Sequence, residues 1–443
     1  MSVVNLTGKA RLPGGSSRSS PAEAGRVVSE RTLVCATRGK IRRWELFMQY
    51  SLAGRMENVK ASDIREILKI IGRPGLISFA GGLPPASLFP TEELARLAGD
   101  ILVKHGGLSL QYAPTEGYVP LREWIVKRLN DHWGMEHIEL DNVIITSGSQ
   151  SGLDLTAKLF INEGDWVFAE APTYMAALAA FNLCGARFME MECDDNGVII
   201  DKLEAKLKEH KPKFAYVITN SQNPSGRTWS MERRQAFMEV MTRLEIPVVE
   251  DNAYYELCFE ELNYRSLATF DPKGLVLSIG SFSKVLCPGL RVAWISGPAE
   301  LIRKLVFIKQ ATDLQTSYFN QMLVYDYLCS IDFDQRVEML CSVYRERRDA
   351  MLNELDAQAL PGMRYTRPKG GMFLWAEFPE AIDTHQFLNK CIERNVAFVP
   401  GRSFYPQTQK NNMARLNFSC MAPELIHKGI RIMCEAASEE LDG

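Results

Sequence analysis

Between residues 143 and 280 short apolar runs alternate with longer stretches of helical spacing. Val143-Ile144-Ile145 predicts a strand and Leu153 to Phe160 a helix. Trp166-Val167-Phe168 then predicts a strand, and Tyr174 to Leu183 a helix. The same alternation gives strands at Phe188 to Met191, Phe214 to Ile218, Pro247 to Val249 and Leu275 to Ile279. Helices fall between them at Leu203 to His210 and Glu232 to Leu244. Strands separated by helices of about ten residues mean βαβ units and a mainly parallel sheet. Upstream, Ile64, Ile67, Leu68 and Ile71 predict a short amphipathic helix over 61–72, stopped by Gly72, Pro74 and Gly75. Residues 297–358 read as mostly helical, with one long charged helix from Val337 to Leu355. The last hundred residues mix strands (Phe373 to Ala376, Ala397 to Val399, Arg415 to Phe418) with helices (His385 to Arg394, Pro423 to Ala437). That mixture predicts a smaller α+β domain beside the α/β one, and no internal repeat is visible.

Composition narrows the class. The 443 residues are 46% hydrophobic and 24% charged, values of an ordinary globular chain. A net charge of −3 argues against nucleic-acid or membrane-surface binding. Pro74 to Thr91 carries no charge but holds four prolines and three glycines, so it is no membrane span. The ten cysteines have no CxxC spacing and the six histidines no metal-ligand pattern. Free thiols point to a reducing, cytoplasmic setting, and metal catalysis is not expected. Residues 1–44 differ in kind, with nine basic residues, two acidic ones and six serines. They read as a disordered leader or an over-long start, or as an organellar transit peptide.

Candidate chemistry gathers where strands end. Ser278-Ile279-Gly280-Ser281-Phe282-Ser283-Lys284 places a lysine in a small-residue loop at a strand exit, with Arg291 seven residues on. A lysine amine forms an imine with pyridoxal 5′-phosphate, and the phosphate needs donors such as Ser281, Ser283 and Arg291. The alternative is a surface lysine. Val248-Val249-Glu250-Asp251 ends a second strand in acids. A carboxylate there holds a pyridine nitrogen protonated, and Tyr254 reaches the ring oxygen; alternatively Asp251 is a helix N-cap. Thr219 to Gly226 contains Asn223-Pro224, either a ligand contact or simply a turn. Gly148-Ser149-Gln150-Ser151-Gly152 opens a helix whose N–H groups suit an anion. It superficially resembles a hydrolase nucleophile elbow, but no Asp or His is placed to complete a triad.

Taken together, SFSKxLxPGxR and the other three loops resemble the fold type I, pyridoxal-phosphate-dependent aminotransferases of class I/II, over roughly residues 57–440. Ser62 to Leu68 followed by Leu76 to Pro84 is most similar to the kynurenine/α-aminoadipate-like branch. The resemblance implies an α/β large domain with a mainly parallel mixed sheet flanked by helices at 96–330 and a small α+β domain at 331–443. Residues 57–95 would carry an N-terminal helix and a substrate-side segment joining the small domain, and 1–56 the leader.

It also implies roles. Lys284 would carry the cofactor as an imine and move the substrate proton; Asp251 would pair with the pyridinium nitrogen. Asn223 and Tyr254 would bond the ring oxygen, and Tyr174 would stack on the ring. Ser149, Gln150, Ser281, Ser283 and Arg291 would hold the phosphate. Arg415 would grip the substrate carboxylate, unless it is a surface arginine on an edge strand. Tyr112 would reach the phosphate of a second subunit, implying a homodimer with shared sites, unless it is a core tyrosine. Arg65 would meet a side-chain carboxylate or else be a solvated helix residue. Gly82 would leave room for substrate, with Phe79, Leu83 and Gly371 to Phe373 lining an apolar pocket. The expected activity is ping-pong transfer of an amino group from 2-aminoadipate, leucine-like or aromatic amino acids to a 2-oxo acid such as 2-oxoglutarate. A β-lyase or decarboxylase on the same fold, or the sensor domain of a GntR-type regulator, are the alternatives.

Overall fold

In the computed structural model, the described residues are 51–58, 73–260 and 264–442. Arg65, the helix expected over 61–72 and residues 1–50 of the stretch expected to be a leader lie outside them. The apolar runs become the strands of one eight-stranded sheet. These are β2 (Val143–Thr146), β3 (Trp166–Ala171), β4 (Arg187–Asp194), β5 (Gly197–Val198), β6 (Phe214–Val217), β7 (Val248–Asp251), β8 (Val276–Ser281) and β9 (Ala293–Ser296), after the short β1 (Ile77–Ser78). The order is β2-β9-β8-β7-β6-β3-β4-β5. Pairs between β3, β4, β6, β7 and β8 are parallel; β9 runs against both neighbours, and β5 folds back on β4.

Both faces of this sheet are covered, which explains its unbroken apolar strands. Phe214 and Tyr216 enter one apolar cluster, while Ala215 and Val217 enter another. The first cluster includes Leu153 and Leu155 of α3 (Ser149–Phe160) and Leu305 of α7 (Ala299–Thr312). The second includes Phe237 and Met241 of α6 (Met231–Leu244). The other helices are α1 (Thr91–Ser109), α2 (Val119–His132), α4 (Met175–Leu183), α5 (Ile200–Glu209), α8 (Tyr318–Ser330), α9 (Phe333–Gln358), α10 (Thr384–Glu393) and α11 (Pro423–Asp442).

A four-stranded sheet, β10-β11-β14-β13, is built from β10 (Arg364–Tyr365), β11 (Phe373–Glu377), β13 (Val399–Pro400) and β14 (Met413–Asn417). Its members pair antiparallel. The strand expected over 397–399 is divided. Val396–Ala397 (β12) pairs in parallel with β1, whereas Val399–Pro400 pairs with β14. Phe398, fully buried between them, marks the change of sheet. This pairing ties residues 77–78 to the C-terminal part of the chain.

The sequence reading left α1, α2 and β9 unassigned. The strand β9 sits between β2 and β8, so its short Ala-Trp-Ile-Ser run is stabilised by two neighbours rather than by its own length. Strands β3, β7 and β8 also run past their apolar runs into Glu170, Asp251 and Ser281. Strand pairing continues there, parallel at Glu170 and Asp251 and antiparallel at Ser281, because each polar side chain finds partners inside the fold. Among the described residues no helix is long and apolar enough to cross a membrane.

Candidate active site

The carboxyl ends of β6, β7 and β8 open into a cavity of about 1020 Å³, ample for a cofactor and an amino acid together. Lys284, just past β8, lines it. Its Nζ donates to the Gly82 carbonyl at 2.8 Å and lies 5.8 Å from the Tyr254 ring centre. Burial lowers its pKa to about 8, and the Arg415 and Arg291 charges push the same way. The surface-lysine alternative is therefore excluded.

Asp251 closes β7 and is 4% exposed. Burial raises its carboxyl to about 6; hydrogen bonds from Tyr216 Oη at 2.9 Å and the Ala253 amide at 3.3 Å work against that rise. A turn follows Asp251, so it caps no helix. Its partner Tyr216 escaped the sequence reading. A hydroxyl inside the otherwise apolar run Phe214 to Val217 was the available signal.

At the start of α3, Gly148 stands at φ +82, and no side chain caps the helix. A Cβ there would lie 2.1 Å from Arg291 Nη2, so glycine is what lets the guanidinium reach the loop. Arg291 donates to Pro288 O and Ser147 O, each at 3.4 Å. Ser149, Gln150, Ser281, Ser283 and Arg291 all line the cavity; Gln150 Nε2 donates to Ala176 O at 3.0 Å. Open helix N–H groups, two buried serines and a guanidinium are the donor set of a phosphate.

Arg415 comes from the interior of β14, between Trp375 of β11 and Val399 of β13. It is 5% exposed, which rules out the edge-strand alternative. Its Nη1 donates to Asn223 Oδ1 at 3.0 Å and its Nη2 to Ala80 O at 2.8 Å; Nε has no partner among the described residues. The guanidinium lies 4.3 Å from the Phe373 ring centre and 5.3 Å from that of Phe404. Burial lowers its pKa to about 10. A desolvated cation answered, among the described residues, by neutral oxygens is arranged for an anionic guest. Phe404 was not foreseen; it ends the short 3-10 helix Gly401–Phe404 that follows β13.

Tyr174 at the head of α4 and Tyr254 also line the cavity, and burial raises both phenols. Gly82 lies against Phe373, whose Cζ would be 3.3 Å from an added Cβ. Leu83 and Phe373 line the cavity as expected. Phe79 does not: it is fully buried and packs beside Gly429 of α11. Alternation along 77–80 turns Ile77 and Phe79 into the core. Tyr112 is 78% exposed, so it is no core tyrosine.

The chain matches the family described as "Aminotransferase class I and II" over residues 83–432. It is 43% identical over 382 residues to the 2-aminoadipate transaminase of Thermus thermophilus, covering 86% of this chain and 94% of that one. It is 39% identical over 388 residues to the aromatic-amino-acid aminotransferase 1 of Thermococcus litoralis, covering 86% and 93%. The crystal structure of the α-aminoadipate aminotransferase from Thermus thermophilus, complexed with N-(5′-phosphopyridoxyl)-L-leucine, superposes with a TM-score of 0.83 at 40% identity. That match covers 88% of this chain and 98% of that one. The chain belongs to the class I and II aminotransferases. It is a pyridoxal 5′-phosphate-dependent enzyme of amino-group transfer, in the aminoadipate-like branch.

Proposed function

We propose that this aminotransferase takes its amino group from 2-aminoadipate, leucine-like or aromatic amino acids and passes it to a 2-oxo acid such as 2-oxoglutarate. The observation that carries the reading is Arg415, a buried guanidinium with an unpartnered Nε and, among the described residues, no carboxylate of its own. An amino acid and an oxo acid share one feature such a group binds, the α-carboxylate, and a planar fork binds it bidentately. Leu83 and Phe373, which line the same cavity, suit apolar side chains, and the names of the two relatives fit acidic and aromatic donors. Arg65 is proposed for a side-chain carboxylate.

The cofactor, when bound, supplies the electron sink that stabilises charge at the substrate Cα. In this reading Lys284 holds it covalently and then carries the proton to and from Cα, a task for which an amine with a pKa near 8 is suited. Asp251 faces the ring nitrogen and keeps its proton in place. Asn223 and Tyr254 hold the ring oxygen, and Tyr174 covers one ring face. Ser149, Gln150, Ser281, Ser283 and Arg291 hold the phosphate. Gly82 keeps the substrate backbone's space open. Tyr112, exposed just beyond the C-terminal end of α1, is proposed to complete the phosphate site of a second copy in a homodimer.

A half-reaction screen tests the substrate reading. Single amino acids, among them 2-aminoadipate, leucine, phenylalanine and glutamate, are added to the loaded enzyme without oxo acid, and the visible band is followed. Loss of the band with acidic, leucine-like or aromatic donors is expected. Response to none of these classes would overturn the substrate assignment.

A further inference from the structure

Glu170 is a buried acid with no part in the reaction as read so far. It stands near the end of β3 and is 1% exposed. Among the described residues its carboxyl group is answered by N–H groups rather than by an ion pair. Oε2 accepts from the Ile218 amide at 2.7 Å, Oε1 accepts from Trp229 Nε1 at 3.0 Å, and the Gln222 side chain bonds to it as well. Ile218 and Trp229 are the two ends of the loop that carries Asn223. Gln222 also donates to Pro172 O at 2.8 Å and accepts from the Ser225 amide at 3.1 Å and the Ser225 hydroxyl at 2.5 Å. The residues on either side of Asn223-Pro224 are thus tied to one side-chain amide, and that amide is tied to Glu170.

The far side of the loop is fixed too. Gly226 stands at φ +68, where a Cβ would lie 2.3 Å from Phe373 O, and Thr366 Oγ1 donates to Ser225 O at 2.8 Å. From the α6 side, Arg234 donates to Thr219 O at 2.9 Å and to Trp229 O at 3.3 Å. Arg234 grips the root of the loop, whereas Glu170 reaches Gln222. At the tip, Asn223 Oδ1 receives the Arg415 bond.

We propose that Glu170 is a positioning residue for substrate-carboxylate binding: by fastening both ends of the 218–229 loop and Gln222, it holds Asn223 where its oxygen orients the Arg415 guanidinium. This rests on the reading of Arg415 as the carboxylate fork. All three groups facing Glu170 donate, and two carboxyl oxygens accept from them together; these bonds oppose the burial that raises its pKa to about 7. An amide at position 170 turns its own NH₂ onto one of them and leaves a buried donor unmet.

The test is binding of 4-methylpentanoate, a carboxylate with no amino group to transfer, to the loaded full-length enzyme by titration calorimetry. Arg415→Ala is expected to weaken binding about 100-fold. Undiminished binding there overturns the Arg415 reading and this proposal with it. Glu170→Gln is expected to weaken binding about tenfold and to raise the KM of the amino donor by the same factor, with kcat within about threefold. Added to Asn223→Ala, the same change should cost less than about twofold, because Glu170 acts through Asn223. If Arg415→Ala loses binding but Glu170→Gln has no effect, or has an equal effect in both backgrounds, the Glu170 proposal alone is overturned. Should Glu170→Gln lack a cooperative melt, Trp229→Phe, which removes one donor, is run through the same cycle. Its expected loss is about threefold in the parent and little in Asn223→Ala, and equal losses again overturn the proposal.

Discussion

In the eight-stranded sheet Asp251 ends β7, and Asn223 and Lys284 lie in the loops that follow the adjacent strands β6 and β8. In the four-stranded sheet Arg415 sits in mid-strand, flanked by paired strands and covered by two aromatic rings. Both regions bury charge, yet they answer it differently. Asp251 keeps hydrogen bonds from Tyr216 and from its own turn, so its environment is largely complete without a guest. Arg415 keeps an Nε with no partner among the described residues. A group at a strand exit can be satisfied by the loop that follows it. Arg415 has its backbone in the ladder, and its two hydrogen bonds go to distant segments, at Asn223 and Ala80, with Nε left over among the described residues. In the proposed reading the large sheet therefore serves the resident cofactor and the small sheet serves the transient substrate.

Changes on the large-sheet side break this contrast most severely. Lys284→Ala is expected to lower transamination by about 10⁴-fold or more and to abolish the visible band of the lysine-bound cofactor, both followed in single-turnover absorbance. A variant that retains both would remove Lys284 from the site. Gly148→Ala comes next. The added Cβ falls on Arg291 Nη2, and the φ of +82 strains any other residue by about 1–3 kcal/mol. Cofactor affinity should fall about tenfold or more in an equilibrium absorbance titration, with the band itself preserved. An unchanged affinity would separate Arg291 from the phosphate.

The smallest effect is a pH dependence. Burial lowers the Lys284 amine to about 8, so about a tenth of it is neutral at pH 7. Protein stripped of cofactor should capture it about tenfold faster per pH unit up to that value and then level off, as stopped-flow absorbance would record. A midpoint at an ordinary lysine value, above about 10, would mean that the amine is not desolvated.

Much of the large sheet was legible because its strands are buried on both faces and read as apolar runs, and because its polar groups follow those runs directly. Asp251 and Lys284 stand out as charge at the end of an apolar strand. The small sheet was less legible. The run Ala397 to Val399 looks like one strand, yet Phe398 divides it between two sheets. Phe79 looks like a pocket residue, but its partner is Gly429, 350 positions away along the chain. Glu170 is invisible as a functional candidate, since an acid among apolar residues shows nothing of the three donors that surround it.

The sequence by itself determined the alternation of strand and helix, the loops with hydroxyls, lysine and acid at strand exits, and through them the class of cofactor. These are local properties, fixed by side-chain period and by what each short segment can bury. The tertiary structure alone decided that Arg415 is desolvated and incompletely paired, that Asn223 meets it across 192 positions, and that Glu170 fastens the loop between them. Those facts depend on contacts between distant segments, and burial of a charge has no meaning until the chain has closed around it.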